Sequence, residues 1–499
     1  MSTWLTQDEL KEVAPAEQAA FPSPVPTQVV SNGEFNPLPQ TASQKRVEAR
    51  VVELADAAAR RLRTSRREFL ATASGMAVAF LAMNEVYGPF FDVQAAEAAD
   101  PAAADERAAA LAGQFIFDDQ VHFVRDDYKY EGLLDLGRFA AKHWNPAMLK
   151  DLKLELLRYK FENFLKEIFL DSDTKVALLS GAPFDDPKMW LLSNDQMAKT
   201  RELVNRIAGS RRLLCHAVFT PGQDGWMDQV DHAINQLKPD SWKGYTVGDP
   251  LVPSRFPFRL DDEKLIYPFY EKIRKAGIKT VCIHKGLLPR DYEKSFKGVW
   301  EYAKVGDVPK AAKDWPDINF VIYHSAIRPF LDLPEVEVAE FERTGYIRWV
   351  SDLAAIPQRF GAKNVYAELG TVFANAAVTH PRLAAGLLGT VIKGMGVDHV
   401  LWGTDSVWYG SPQWQIEALR RLEIPEELRK RHGYAPLGAA DGGVKRAILG
   451  ENAARLYKLE RPAVYDAIKR DAIEKMKAEY KRSGIGRSNT PYGYIGNRA

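Results

Sequence analysis

The chain has 499 residues, 46% hydrophobic and 27% charged, a balance that supports a large buried core and excludes a disordered or fibrous protein. Lys and Arg number 67 against 66 Asp and Glu, a formal charge of +1 with no long block of one sign, which excludes nucleic acid as a partner. The two cysteines, Cys215 and Cys282, lie in apolar runs (LLCHAVF and TVCIH) and read as packed thiols, not as a disulfide or a zinc knuckle.

Residues 1–64 form an amino-terminal extension. Its first part (FPSPVPTQVVSNGEFNPLPQ) has no apolar period and reads as disordered, and a charged, helix-prone stretch (KRVEARVVELADAAARRLR) follows. Residues 65–98 open with Ser65-Arg66-Arg67-Glu68-Phe69-Leu70 and continue as an uncharged, weakly hydrophobic segment from Ala71 to Met83. As a helix that segment would extend about 20 Å, too short to span a bilayer comfortably. Ala96, Ala98 and Ala99 supply the small residues of a signal-peptidase site. The whole resembles a twin-arginine export signal, which implies passage through the twin-arginine translocase, cleavage after Ala98 and a periplasmic or otherwise exported protein. The rival readings are an amphipathic surface helix with a chance Arg pair, and an uncleaved membrane tether.

From 99 to 460 short β-rich runs alternate with helix-patterned stretches, the pattern of a parallel sheet built from βα units. The strands are read at 114–123, 175–181, 212–219, 242–247, 279–286, 319–326, 364–370 and 399–405, eight in all, which suits a closed (β/α)8 TIM barrel with helical insertions. Helices such as NDQMAKTRELVNRIAG, DEKLIYPFYEKIRKAG and PRLAAGLLGTVIKGMG end at a Gly suited to the left-handed cap. The long stretches 124–172 and 248–262 follow strands and so fall on the catalytic face.

A buried barrel strand should be apolar to its end, yet the first, fifth, sixth and eighth runs finish in His122, His284, His324 and Asp405. Side chains two apart share a face of a strand, so Asp118, Gln120 and His122 are expected to point the same way.

The series FDDQVHF, IHKG, YHSA, WGTDS and GENAARLY, in this order over residues 114–458, resembles the amidohydrolase-related family that includes aminocarboxymuconate-semialdehyde decarboxylase. That resemblance implies two metal ligands on the first strand, here Gln120 and His122, a third at His284, a catalytic His324, and Asp405 as ligand and proton acceptor. Gln120 stands where the family has His or Glu, and a neutral carboxamide is the poorer ligand. The expectation is one divalent ion, zinc with manganese as the alternative, in place of a binuclear centre; Lys243 and Lys285 are the lysines near a second site.

The family contains hydrolases and nonoxidative decarboxylases. An exported enzyme suits hydrolysis of a small acidic or aromatic ester, lactone or amide by water that the ion activates. The alternatives are metal-dependent decarboxylation of an aromatic or unsaturated acid, and a binding protein on a decayed barrel. Arg290, Arg328, Trp408 and Tyr409, in loops after strands, are candidates to bind the small-molecule substrate, with surface ion pairing and scaffold packing as the competing roles. Glu368 is either a pocket residue or a structural partner. His216 reads as a core histidine, and His143, His232, His380, His399 and His432 as structural. The 461–499 helix and tail pack on a neighbouring copy in a homo-oligomer or form a solvated appendage.

Overall fold

The computed structural model describes residues 23–27, 32, 34, 41–129, 159–248, 252–289, 292–328, 334–459 and 462–482. Arg290 and residues 130–158 of the first long insertion lie outside them.

Among the described residues five helices precede the barrel, and two of them are the longest. Helix α1, Ala42–Leu62, starts in a capping box, Thr41 and Gln44 exchanging side-chain and backbone hydrogen bonds. Helix α2, Ala73–Tyr87, is capped by Thr72 and contains the apolar segment of the export-like stretch. Its Met76, Val78, Phe80 and Met83 are buried in the same core as α1 and the barrel's outer layer. Gly75 permits this, since a Cβ there would stand 2.6 Å from the Leu70 backbone. The chain is then tied to the barrel by Asp92 N–H donating to the Arg421 carbonyl, Glu423 N–H donating to the Phe90 carbonyl (both 2.8 Å), and the Arg421–Glu97 ion pair at 2.7 Å. Arg66 pairs with Asp56, and Arg67 is exposed. Among the described residues no helix is long and apolar enough to cross a membrane.

Eight parallel strands follow in sequential order: β1 (Phe117–Val121), β2 (Val176–Leu179), β3 (Leu213–Val218), β4 (Ser241–Tyr245), β5 (Thr280–His284), β6 (Asn319–Tyr323), β7 (Val365–Glu368) and β8 (Val400–Leu401). All eight predicted runs contain strands, each ending earlier than predicted because its terminal residues turn into loops, while β4 begins one residue earlier than predicted and β6 at the predicted residue. The protein is a (β/α)8 barrel, closed where Asp119 N–H donates to the Trp402 carbonyl (2.8 Å) and Asp405 N–H to the Gln120 carbonyl (2.9 Å). Between strands run α3 (Asn194–Ala208), α4 (Tyr267–Ala276) and α5 (Pro381–Met395), and α6 (Gln413–Arg421) follows β8. Gly209 (φ 73°) and Gly277 (φ 76°) end α3 and α4 in the left-handed conformation the sequence called for.

Alternation divides the strands between two cores. Phe117, Leu178, Leu214, Cys282, Val321 and Leu401 fill the barrel interior, with Ala453, Ala454 and Tyr457 beneath them as a floor, while Ala177, Cys215, Val281 and Ile283 face the outer helices. Both cysteines are buried free thiols.

Strand β1 breaks the alternation. Its register with β2 slips between Asp118 and Val121, so an extra residue is accommodated there. Asp118 consequently leaves the face of Gln120 and His122 and folds over the β8 loop. The expectation that all three share one face therefore holds only for Gln120 and His122.

The carboxy-terminal helix α7, Ala472–Arg482, packs on its own barrel, not outward as a free appendage. Arg212, fully buried at the start of β3, donates to Asp471 from Nε (2.6 Å) and Nη2 (2.9 Å) and to Glu474 (3.0 Å). Tyr480 reaches Asp171, and Lys477 the Ser172 carbonyl. Removing one partner of a buried ion pair costs about 3–5 kcal/mol. Arg212→Ala is therefore expected to lower the urea midpoint by that amount of stability; a midpoint equal to wild type would show that this pair does not anchor α7.

Candidate active site

The carboxyl ends of β1, β4, β5, β6, β7 and β8 bring their polar residues together above the apolar interior. His122, His284 and His324 are buried, as are Gln120, Lys243, Glu368 and Asp405. A stretch of the amino-terminal extension reaches the same place: Asn32 is buried and Glu34 is mostly so.

On the β1/β8 side, His122 Nε2 lies 3.1 Å from Asp405 Oδ1. Gln120 Nε2 donates to the same carboxylate oxygen at 3.0 Å and lies 3.2 Å from His122 Nε2. Its oxygen faces Gly370, where a Cβ would come within 2.4 Å of it. The carboxamide thus presents its nitrogen to the two donors and braces them. Asp405 Oδ2 accepts from Asn32 Nδ2 at 2.9 Å and from the Thr371 hydroxyl. Burial alone would push the Asp405 carboxyl up; the hydrogen bond and charge of His122, with His324 and Thr371, hold it below its usual range.

On the β5/β6 side, neither ring nitrogen of His284 makes a hydrogen bond of acceptable geometry, and Tyr245 stacks on its ring at 4.4 Å. His324 donates from Nδ1 to the Gly370 carbonyl at 2.9 Å, which leaves Nε2 as an unpartnered lone pair. Burial lowers the pKa of His324 to about 4, and burial with the charges of His324 and Lys243 holds His284 well below its usual value. Both imidazoles are neutral at pH 7, the form that binds a metal. Glu34 lies among them, Oε1 3.5 Å from His284 Nδ1 and Oε2 3.9 Å from His324 Nε2, and Tyr245 OH donates to it at 3.2 Å. Burial, and then the charge of Asp405, pushes this carboxyl up to about 8.

These donors fit a divalent ion. Unpaired neutral nitrogens in a dry pocket are costly unless something accepts their lone pairs. One oxygen from Glu34 and one nitrogen from each of His284 and His324 lie within 4.8 Å of one another. His122 and Asp405 add a second close nitrogen–oxygen pair.

Lys243 points into the barrel from β4. Its Nζ is buried, makes no hydrogen bond and sits 3.3 Å from the centre of the Tyr323 ring. Burial brings its pKa down to about 8. His216, as expected, is structural, bonded at both nitrogens to Tyr323 OH and Ser241 Oγ (2.9 Å each). Lys285 is occupied by a buried ion pair with Asp307 at 2.8 Å.

Glu368 supports the site from below. It accepts from the backbone N–H of His324 (3.0 Å) and of Gly370 (2.5 Å), fixing the turns that carry the imidazole and its carbonyl partner. Those turns are strained, with His324, Thr371 and Asp405 at φ 58°, 58° and 59°. Of the proposed substrate contacts, Arg328 grips Glu293 with two bonds of 2.7 Å and donates to the Leu288 and Pro289 carbonyls. Trp408 stacks on His122 with centroids 5.5 Å apart, and the Tyr409 hydroxyl bonds Thr371 at 3.1 Å. A cavity of about 590 Å³ lined by Lys304, Trp349 and Arg359 lies elsewhere, among outer helices.

Asn32, Glu34, Tyr245 and Thr371 were not singled out by sequence. Tyr245 shares the period-two face of Lys243 and could have been; the other three carry no motif.

A family model described as Amidohydrolase matches residues 235–459, which takes in β4 to β8 and the floor but not β1. No curated protein matches the chain. Solved structures similar to it include an uncharacterized TIM-barrel protein, Bb4693, from Bordetella bronchiseptica (14% identity, 69% of this chain, 98% of that chain, TM-score 0.41). A 2,6-dihydroxybenzoate decarboxylase from Rhizobium is similar at 14% identity, over 70% of this chain and 100% of that chain, with TM-score 0.39. A dihydroxybenzoic acid decarboxylase from Polaromonas sp. JS666, with bound manganese and 2-nitroresorcinol, stands at 16% identity, 70% of this chain, 99% of that chain and TM-score 0.39.

A Cβ on Gly403, two residues before Asp405, would stand 1.7 Å from Glu368 Oε1. Gly403→Ala must displace that carboxylate and the turn of His324, at an overpacking cost of about 1–3 kcal/mol. The measurement is thermal unfolding, and a melting temperature unchanged from wild type would remove Glu368 from its supporting role.

Proposed function

We propose that the protein is a metal-dependent enzyme that removes carbon dioxide, without oxidation, from a small aromatic or unsaturated carboxylic acid. The observation that carries this reading is Lys243, a buried ammonium without a hydrogen-bond partner beside metal-competent imidazoles. An unpaired buried cation calls for an anion, and a substrate carboxylate or phenolate supplies one. His122, His284 and Asp405 would hold one divalent ion, zinc or manganese. Such an ion polarises an oxygen bound to it and stabilises negative charge that develops as the bond breaks. Lys243 orients the anionic group, the Tyr245 and Trp408 rings flank the imidazoles, and His324, its tautomer set by Gly370, presents the Nε2 lone pair that takes up a proton and passes it to the carbon that loses carbon dioxide.

Asp405 supports decarboxylation over hydrolysis. Gln120, Asn32 and Thr371 already donate to it, and its basicity is low, which suits a charge holder better than a proton acceptor. Hydrolysis of an ester, lactone or amide is the second reading, favoured by the free Nε2 of His324, which could take a proton from water.

The test is a panel of aromatic and unsaturated acids alongside esters, lactones and amides, scored for carbon dioxide release and separately for incorporation of labelled water oxygen. Carbon dioxide release is expected; turnover with water incorporation alone would replace this reading by hydrolysis. His284→Ala and Asp405→Asn should each lower activity by at least about a hundredfold with loss of bound metal. Lys243→Met, which removes a charged hydrogen bond worth about 1.5–3 kcal/mol, should raise KM by about ten- to a hundredfold with a smaller effect on kcat. An unchanged KM would sever Lys243 from the substrate.

A further inference from the structure

We infer that Glu34, on the amino-terminal arm, is a ligand of the divalent ion, so that the arm completes the centre. The inference rests on the metal-dependent reading above and adds to it a ligand from outside the barrel.

Distance separates ligation from simple ion pairing. Ligands of a tetrahedral ion with bonds of about 2.1 Å stand about 3.4 Å apart. Glu34 Oε1 and His284 Nδ1 are 3.5 Å apart, long for a hydrogen bond and close to that edge. The other oxygen lies 3.9 Å from His324 Nε2, beyond the edge, which leaves His324 next to the centre for proton transfer. Both imidazole nitrogens are fully buried and lack hydrogen-bond partners, so they are aimed at something other than the carboxylate alone.

Charge gives an independent reason. His122 and His284 are neutral as ligands, Asp405 contributes one negative charge, and Gln120 contributes none. A divalent ion in a dry site is left half compensated by these four. Glu34, ionised when the cation binds beside it, supplies the second charge.

The arm is held for the task. Asn32 donates to Glu34 and also, at 2.9 Å, to Asp405, linking the two halves of the site, and Tyr245 OH fixes the second contact of Glu34 at 3.2 Å. Further back, Val25 is buried and the Thr27 hydroxyl donates to Glu48 on α1 at 2.9 Å.

Cleavage after Ala98, which the export-like signal implies, would remove Glu34, so the inference requires a mature chain that keeps its amino-terminal arm. The experiment uses the full-length protein, with zinc and manganese content measured by elemental analysis and affinity by chelator competition, in wild type, Glu34→Gln, Glu34→Asp and His284→Ala. Glu34→Gln should weaken the metal at least about tenfold and change the absorption spectrum of the cobalt-substituted protein, while the metal-free melting temperature stays at the wild-type value. Glu34→Asp should recover part of the affinity. Wild-type affinity in Glu34→Gln, or a mature amino terminus beyond residue 34, overturns the inference. If His284→Ala still loses the metal in that case, the metal-dependent reading stands; a wild-type protein that binds no divalent ion defeats both.

Discussion

The seam between the first and last strands is the constraint on which the site depends. Asp118 accepts from the Thr404 N–H at 2.9 Å, the Gln120 carbonyl accepts from Asp405 N–H at 2.9 Å, and His122 N–H donates to the Ser406 carbonyl at 2.6 Å. These bonds close the barrel and also place His122 and Asp405 3.1 Å apart. The extra residue in β1 is what lets both happen: it turns Asp118 onto the β8 loop and leaves Gln120 and His122 facing the mouth. A regular strand would have put Asp118 in line with them and left the β8 turn unsupported.

Above that seam the molecule concentrates groups that are hard to bury. Three imidazoles, three carboxylates, an ammonium and two carboxamides share a volume from which water is largely excluded. The structure manages the cost unevenly. Glu368 and Asp405 are fully engaged as acceptors, whereas nitrogens of His284 and His324 and the Lys243 ammonium have no hydrogen-bond partner. The satisfied groups hold the backbone in place, including its positive-φ turns at His324, Thr371 and Asp405. The unsatisfied ones are the groups that the proposed ion and the proposed anionic substrate would meet.

Reading from sequence worked best where the signal is periodic. The strands were legible because most are short apolar runs bounded by helical patterns, and α3 and α5 were legible because an amphipathic stretch ends at a glycine. His122, His284, His324 and Asp405 were legible because a polar residue at the end of an apolar strand stands out. Arg328 and Glu368 show the limit of that logic: their positions in the barrel were visible, but their partners, Glu293 and the His324 and Gly370 N–H groups, are choices of rotamer and turn geometry.

By itself, then, the sequence determined the barrel, the order of its strands and the four residues at their carboxyl ends, since these follow from local period and composition. Only the tertiary structure decided that Asp118 leaves the face of Gln120, that Gln120 braces instead of facing the centre with its oxygen, and that α7 packs beneath its own barrel. It alone brought Asn32 and Glu34 to the mouth, because a contact between an amino-terminal arm and residues more than two hundred positions away leaves no period or spacing in the chain. Whether a carboxylate lies beside a given imidazole is set by closure of the barrel and docking of the arm, and neither is a local property.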